Sequence, residues 1–120
     1  MSAPEPDKNC IFCKIVAGEA SADIVHANEL TIAFRDLNPQ APTHVLVVPR
    51  DHYENAAELS HWAPAESAAL LATAREVAIK EGLEDDGYRM VFNTGESAGQ
   101  TVFHAHLHLL GGRPMEWPPG

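Results

Sequence analysis

The chain has 120 residues, enough for one domain with a core of its own and too few for two independent ones. Apolar residues make up 45% and charged residues 21%, which excludes a disordered chain and predicts a single folded unit without a linker. Eight Lys and Arg against 17 Asp and Glu leave a formal net charge of −9; this argues against nucleic-acid binding, whose affinity comes from many basic contacts to phosphate.

In chain order, Met1 to Asp7 carries no basic or apolar stretch, and eighteen apolar residues nowhere run together, so no membrane association and a cytoplasmic location are expected. Residues 1–9 read as a mobile segment and 10–120 as one domain. The run from Cys10 to Gly18 predicts a short helical turn closed by glycine. Cys10 and Cys13 are the only cysteines, and in a reducing compartment their C-x-x-C spacing points to metal or redox chemistry rather than a structural disulfide. Runs rich in Val, Ile and Phe at Ile24 to His26, Leu30 to Arg35 and His44 to Val48 predict three strands. Pro39, Pro42 and Pro49 mark loop edges between and after them, because proline cannot donate to a sheet ladder.

From Pro64 to Glu81 the chain is Ala-rich, and Leu70, Leu71, Ala74, Val77 and Ala78 at three- and four-residue spacings predict the one long amphipathic helix. Pro64 suits its first turn and Gly82 its exit. Tyr88 to Asn93 and Thr101 to Leu110 predict a fourth and fifth strand, antiparallel neighbours joined through Gly95 to Gln100. The elements do not alternate as βαβ, so the fold class is α+β: a five-stranded antiparallel sheet with one long and one short helix.

The fifth predicted strand carries His104-Ala105-His106-Leu107-His108. Alternation puts the three histidines on one face and Ala105, Leu107 and Leu109 on the other. At about 3.3 Å per residue the outer two Cα atoms stand about 13 Å apart, too far for all three imidazoles to hold one zinc. A solvated sheet face would be the plain explanation. Histidine is an uncommon choice for one, and neutral, nucleophilic imidazoles suit transfer at phosphorus, with Thr101 and loop N–H groups as further donors.

Beyond this row, the chain resembles the histidine triad (HIT) hydrolases, and within them the Hint branch of nucleoside phosphoramidases. The likeness runs through Ile11-Phe12-x-Lys14-Ile15, Phe34-x-Asp36-x-x-Pro39-Gln40-Ala41-Pro42-Thr43-His44, Tyr88-Arg89-Met90-Val91, Asn93-x-Gly95, Gly99-Gln100, the histidine row, and Gly111-Gly112-Arg113-Pro114-Met115-x-Trp117-Pro118-Pro119-Gly120. The Trp-Pro-Pro-Gly ending resembles the Hint branch rather than the dinucleoside polyphosphate branch.

The resemblance implies hydrolysis of the P–N bond of purine nucleoside 5′-phosphoramidates, such as the amide or lysine conjugate of adenosine monophosphate, through a nucleotidyl-histidine intermediate. His106 would be the nucleophile, His104 would orient it, His108 would contact phosphate, and His44 would stand near the leaving group. Asp36 would bind the ribose hydroxyls, Asn93 and Thr101 the phosphate, where familiar members carry serine at the Thr101 position. Ile11, Phe12, Ile15 and Phe34 would wall the base pocket, and Gly99, Gln100 and Trp117 would complete the substrate contacts. By their residue types alone, Asp36 and Asn93 read equally as turn residues and His44 as a surface residue. His26 and His61 fit no motif and are expected at the surface.

No cofactor for catalysis is implied. Some bacterial HIT proteins that resemble this chain complete a structural zinc site with Cys10, Cys13, His52 and His104; two reduced cysteines in a packed turn are the other reading. The resemblance further implies a homodimer whose sheet continues across the subunits, with the tail reaching toward the partner's site; an unpaired sheet edge gives an independent reason for pairing. Dinucleoside polyphosphate cleavage, and a zinc-stabilised nucleotide-binding or scaffold protein with little turnover, are the alternatives.

Overall fold

A computed structural model describes residues 5–120, whose elements follow in the order α1 (Ile11–Val16), β1 (Ile24–Ala27), β2 (Thr31–Arg35), β3 (Thr43–Pro49), α2 (Ala56–Trp62), α3 (Pro64–Lys80), β4 (Tyr88–Val91), a 3-10 turn (Glu96–Ala98) and β5 (Leu107–Gly111). The strands form one antiparallel sheet in the spatial order β1-β2-β3-β5-β4. This is the α+β architecture expected. Of the expected mobile segment, residues 1–4 lie outside those described; Asp7 to Asn9 form a hydrogen-bonded turn that leads into α1.

The sheet is covered on both faces, which is why its inner strands read as nearly unbroken apolar runs; β3 is buried along its whole length. On one face Ala33, Val45, Val47, Leu107 and Leu109 meet Leu70, Ala74, Val77 and Ala78 of α3. The alanines bring the helix close to the strands. On the other face Ile32, Phe34, Leu46 and Val48 meet Cys10, Phe12, Cys13 and Ile15 around α1. The side chains of α1 leave part of this second face open, and the functional residues lie there.

A polar clamp ties the β1–β2 hairpin to α3. Buried Thr31 and Thr73 share a 2.7 Å hydroxyl contact, and Asn28 donates to Thr73 at 3.1 Å while its Oδ1 accepts from the backbone of Leu30 and Thr31. At the end of β5, two glycines permit close packing. A Cβ at Gly111 would stand 2.6 Å from Leu83 Cδ1, and one at Gly112, whose φ is +90°, 2.9 Å from Pro42 Cβ.

Three expectations change. The fifth strand starts at Leu107 rather than Thr101, because residues 101–106 turn inward to pack His104 and Gln100 instead of pairing along a ladder. The fourth strand stops at Val91, short of Asn93, whereas Pro49 stands at a loop edge as expected, closing β3, and its carbonyl accepts a side-chain bond. Besides the long and the short helix there is α2, started by Asn55, whose Oδ1 accepts from Glu58 N. Its seven residues are too few to show a period. No helix among the described residues is long and apolar enough to cross a membrane.

Candidate active site

The alternation read from the histidine row holds although half of the row precedes β5: Ala105, Leu107 and Leu109 enter the core under α3, and His106 and His108 face the other way. Backbone register then lays a straight row across that face. His108 pairs with Leu46, Leu46 with Phe34, and Phe34 with Ile24. Above this row opens a cleft of about 260 Å³, whose walls include Ile11, Phe12, Ile15, Phe34 and Leu46, with Asp36, Thr101, His106 and His108 among its polar groups. Phe12 stands steeply inclined to both Phe34 and His106, at interplanar angles of 68° and 85° with ring centroids 5.4 and 5.1 Å away, so one ring joins the apolar slot to the imidazole.

Each imidazole has one nitrogen committed to the protein. His106 Nδ1 lies 2.8 Å from the carbonyl of His104, which can only accept, so Nδ1 carries the proton and Nε2 holds an unshared lone pair. His44 Nδ1 accepts from the backbone N–H of Gln40 at 3.0 Å, so its proton sits on Nε2, 2.9 Å from His108 Nδ1 and 3.4 Å from Asp36 Oδ2. His108 therefore accepts at Nδ1 and offers N–H from Nε2. Burial pushes His106 and His44 below the usual histidine value and His108 down to about 4, so all three are neutral at pH 7. The one guanidinium at the cleft, Arg35, is held by Glu81 at 2.6 Å and Asp23 at 3.5 Å. An anion in the cleft would be met by neutral N–H and O–H donors.

Asp36 belongs both to a turn and to the wall of the cleft. Its Oδ1 accepts from Asn38 N in a turn, and its carboxylate stands at the cleft beside His44. Gln100 is buried as a loop brace, its amide donating to the carbonyls of Glu54 and Val102 while Oε1 accepts from Gly95 N. Neither it nor Gly99, Asn93 or His44 lines the cleft; Asn93 lies just past β4 and against Gly99. Trp117 is 82% exposed and away from the cleft of its own chain. Among the wall residues, Ser21, Ala22, Arg35, Leu37 and Val102 carried no sequence signal, because only the folded β1–β2 edge and the 101–106 loop bring them there.

Behind the cleft, Cys10, Cys13, His52 and His104 converge. His104 is fully buried and its Nε2 donates to Pro49 O at 2.9 Å, so its Nδ1 is bare and points at Cys10 Sγ (3.4 Å), Cys13 Sγ (3.5 Å) and His52 Nδ1 (3.2 Å). Cys13 Sγ lies 3.2 Å from His52 Nδ1. A zinc tetrahedron with bonds of about 2.3 Å to sulfur and about 2.0 Å to nitrogen has edges of about 3.3–3.8 Å, so the donor set could hold zinc with small adjustments. Burial raises the Cys13 thiol to about 11, so a buried thiolate here needs a cation beside it. Cys10 caps α1 by accepting from Cys13 N, which sets the two sulfurs on one side of the turn.

This fold and this row of tautomer-fixed imidazoles define a class, and the HIT domain family model matches residues 17–115. The chain belongs to the HIT family. It is 42% identical over 105 residues, 88% of each chain, to a protein of Escherichia coli named purine nucleoside phosphoramidase. It is 47% identical over 116 residues, 95% of this chain and 90% of the other, to a 14 kDa zinc-binding protein of Zea mays. A HIT family hydrolase from Legionella pneumophila superposes with a TM-score of 0.90 at 47% identity, covering 93% of this chain and all of that one.

Proposed function

We propose that the chain hydrolyses the P–N bond of purine nucleoside 5′-phosphoramidates in two displacements at phosphorus. The observation that carries this reading is the bare Nε2 of His106 at the end of an apolar slot, its other nitrogen locked to the His104 carbonyl. A neutral, oriented imidazole is a nucleophile that needs no base to activate it. In the first step Nε2 attacks phosphorus, the P–N bond breaks, and the departing nitrogen takes a proton from water or from the His108–His44 pair. In the second, water attacks phosphorus, the N–P bond to His106 breaks, and the water's proton restores the donor. His108 Nε2–H and the Thr101 hydroxyl stabilise the phosphate oxygens, and Asp36 receives the ribose hydroxyls. The likeness to the Escherichia coli phosphoramidase supports the choice of substrate.

Cys10, Cys13, His52 and His104 would hold a structural zinc. Bound there, the ion supplies charge for the two sulfurs; the chemistry of the cleft belongs to the imidazoles, and His104 passes the rigidity of the cluster to His106 through its carbonyl. A reducing compartment, the cytoplasm, keeps the two cysteines available as ligands. The test is steady-state hydrolysis of a fluorogenic adenosine phosphoramidate beside a dinucleoside polyphosphate. Wild type should favour the phosphoramidate, and His106→Asn should keep the fold and lose at least about 10³-fold in kcat/KM. Retained turnover in the variant overturns the nucleophile, and preference for the polyphosphate overturns the substrate.

A further inference from the structure

The cross-sheet row that ends at His108 has its far end at Ile24 on β1. From β5 through β3 and β2 to β1 are three strand spacings, roughly 14 Å. With phosphate at His106 and His108, the nucleoside extends along Leu46 and Phe34, and the outer edge of its base arrives at the segment that opens β1. The walls along that path are apolar side chains. Ser21, three residues before Ile24, lines the same cleft, as does Arg35, whose guanidinium is already engaged by Glu81 and Asp23.

Ser21 is itself exposed, but it sits on a tied-down segment: on one side Ala20 N donates to Lys14 O at 3.2 Å. The Asp23 carbonyl accepts from Arg35 N at 3.0 Å, the Asp23 carboxylate lies 3.5 Å from Arg35 Nε, and Ala22 packs on the apolar cluster around Phe34. The segment is thus anchored on both sides of the serine's neighbour Ala22. A hydroxyl both donates and accepts, so it satisfies either a ring nitrogen or an exocyclic amino group.

We propose that Ser21 is a specificity residue whose hydroxyl bonds to the polar six-membered-ring edge of a bound purine. The inference rests on the nucleotide reading of the cleft, and equilibrium binding tests it apart from the hydrolysis. Adenosine 5′-monophosphate is compared with benzimidazole riboside 5′-monophosphate, which keeps the bicyclic shape without nitrogen or amino groups on that edge. A net hydrogen bond corresponds to a factor of about 2–10 in affinity.

Wild type should bind the adenosine compound tighter by that factor. Ser21→Ala should lose the difference by weakening the adenosine compound alone, and Ser21→Thr, which keeps the hydroxyl, should restore it. Equal weakening of both ligands, or no change in either, overturns the role of Ser21. Failure of wild type to bind either ligand overturns it together with the nucleotide reading, whereas tight nucleotide binding without P–N hydrolysis removes the hydrolysis and leaves Ser21 standing.

Discussion

A ring nitrogen tied to a carbonyl decides what the other nitrogen can do. In His106 and His104 the ties are to the carbonyls of His104 and Pro49, and in each case a lone pair is left on the opposite side of the ring: toward the cleft in one, toward the sulfurs in the other. His44 is tied in the opposite sense, accepting from Gln40 N, and so presents N–H to His108. Burial keeps these rings neutral, and protonation of His106 would remove its lone pair. Activity is therefore present above the His106 pKa and lost as pH falls through it. Since that value lies below 6.5, kcat/KM for an adenosine phosphoramidate should level off toward about pH 8 and fall on the acid side, with a half-point under 6.5. A half-point above 6.5 would contradict the neutral imidazole. The histidine row was legible in the residues themselves, and Asp36 only through the family resemblance. The tautomers were not, because Pro49 and Gln40 lie 55 and 4 positions from the rings they orient and act through backbone atoms of no distinctive residue type.

Among the elements, α1 is six residues long and needs support beyond its own hydrogen bonds. Its apolar side is buried under the sheet, and both of its sulfurs belong to the four-donor cluster. On the zinc reading, an ion at a hundredfold excess over its Kd adds about 2.7 kcal/mol to the folded state, worth about 10 °C in a domain of this size. Chelation should lower the melting temperature of wild type by that order and leave Cys13→Ser unmoved; equal responses would remove zinc from the account. The cysteine spacing gave a candidate, and the resemblance gave its partners. Strand ends were less legible: the fourth strand stops at Val91, short of Asn93, and the fifth begins six residues late, because tertiary packing of His104 and Gln100 wins over the β-propensity of Thr101, Val102 and Phe103.

As a whole, the molecule has a Cα radius of gyration of 13.8 Å, close to the about 13.6 Å expected of one compact domain of this length. Its sheet has two edges, β1 and β4. Met90 on β4, Phe92 just beyond it and Leu71 on α3 are each more than a third exposed, the latter two lining a groove with Ala57 and Thr94. An unpaired edge beside exposed apolar side chains is the geometry that a second copy of the chain would cover, and we propose the homodimer there, with the tail and Trp117 directed to the partner's cleft. Sedimentation should give twice the 13.0 kDa chain mass, and Phe92→Asp should shift it toward one chain; a wild-type monomer at micromolar concentration would exclude the dimer.

The sequence by itself determined that three histidines alternate against an apolar face, that one long Ala-rich helix forms, and that the chain resembles the HIT hydrolases, since periodicity and motif spacing are local properties of the chain. Only the tertiary structure decided which nitrogen of each imidazole is free, that residues 101–106 leave the sheet, and that Ser21 joins the walls of the cleft. Those outcomes depend on strand register and on backbone carbonyls and amides, some near and some far along the chain, which every residue type carries and no residue pattern encodes.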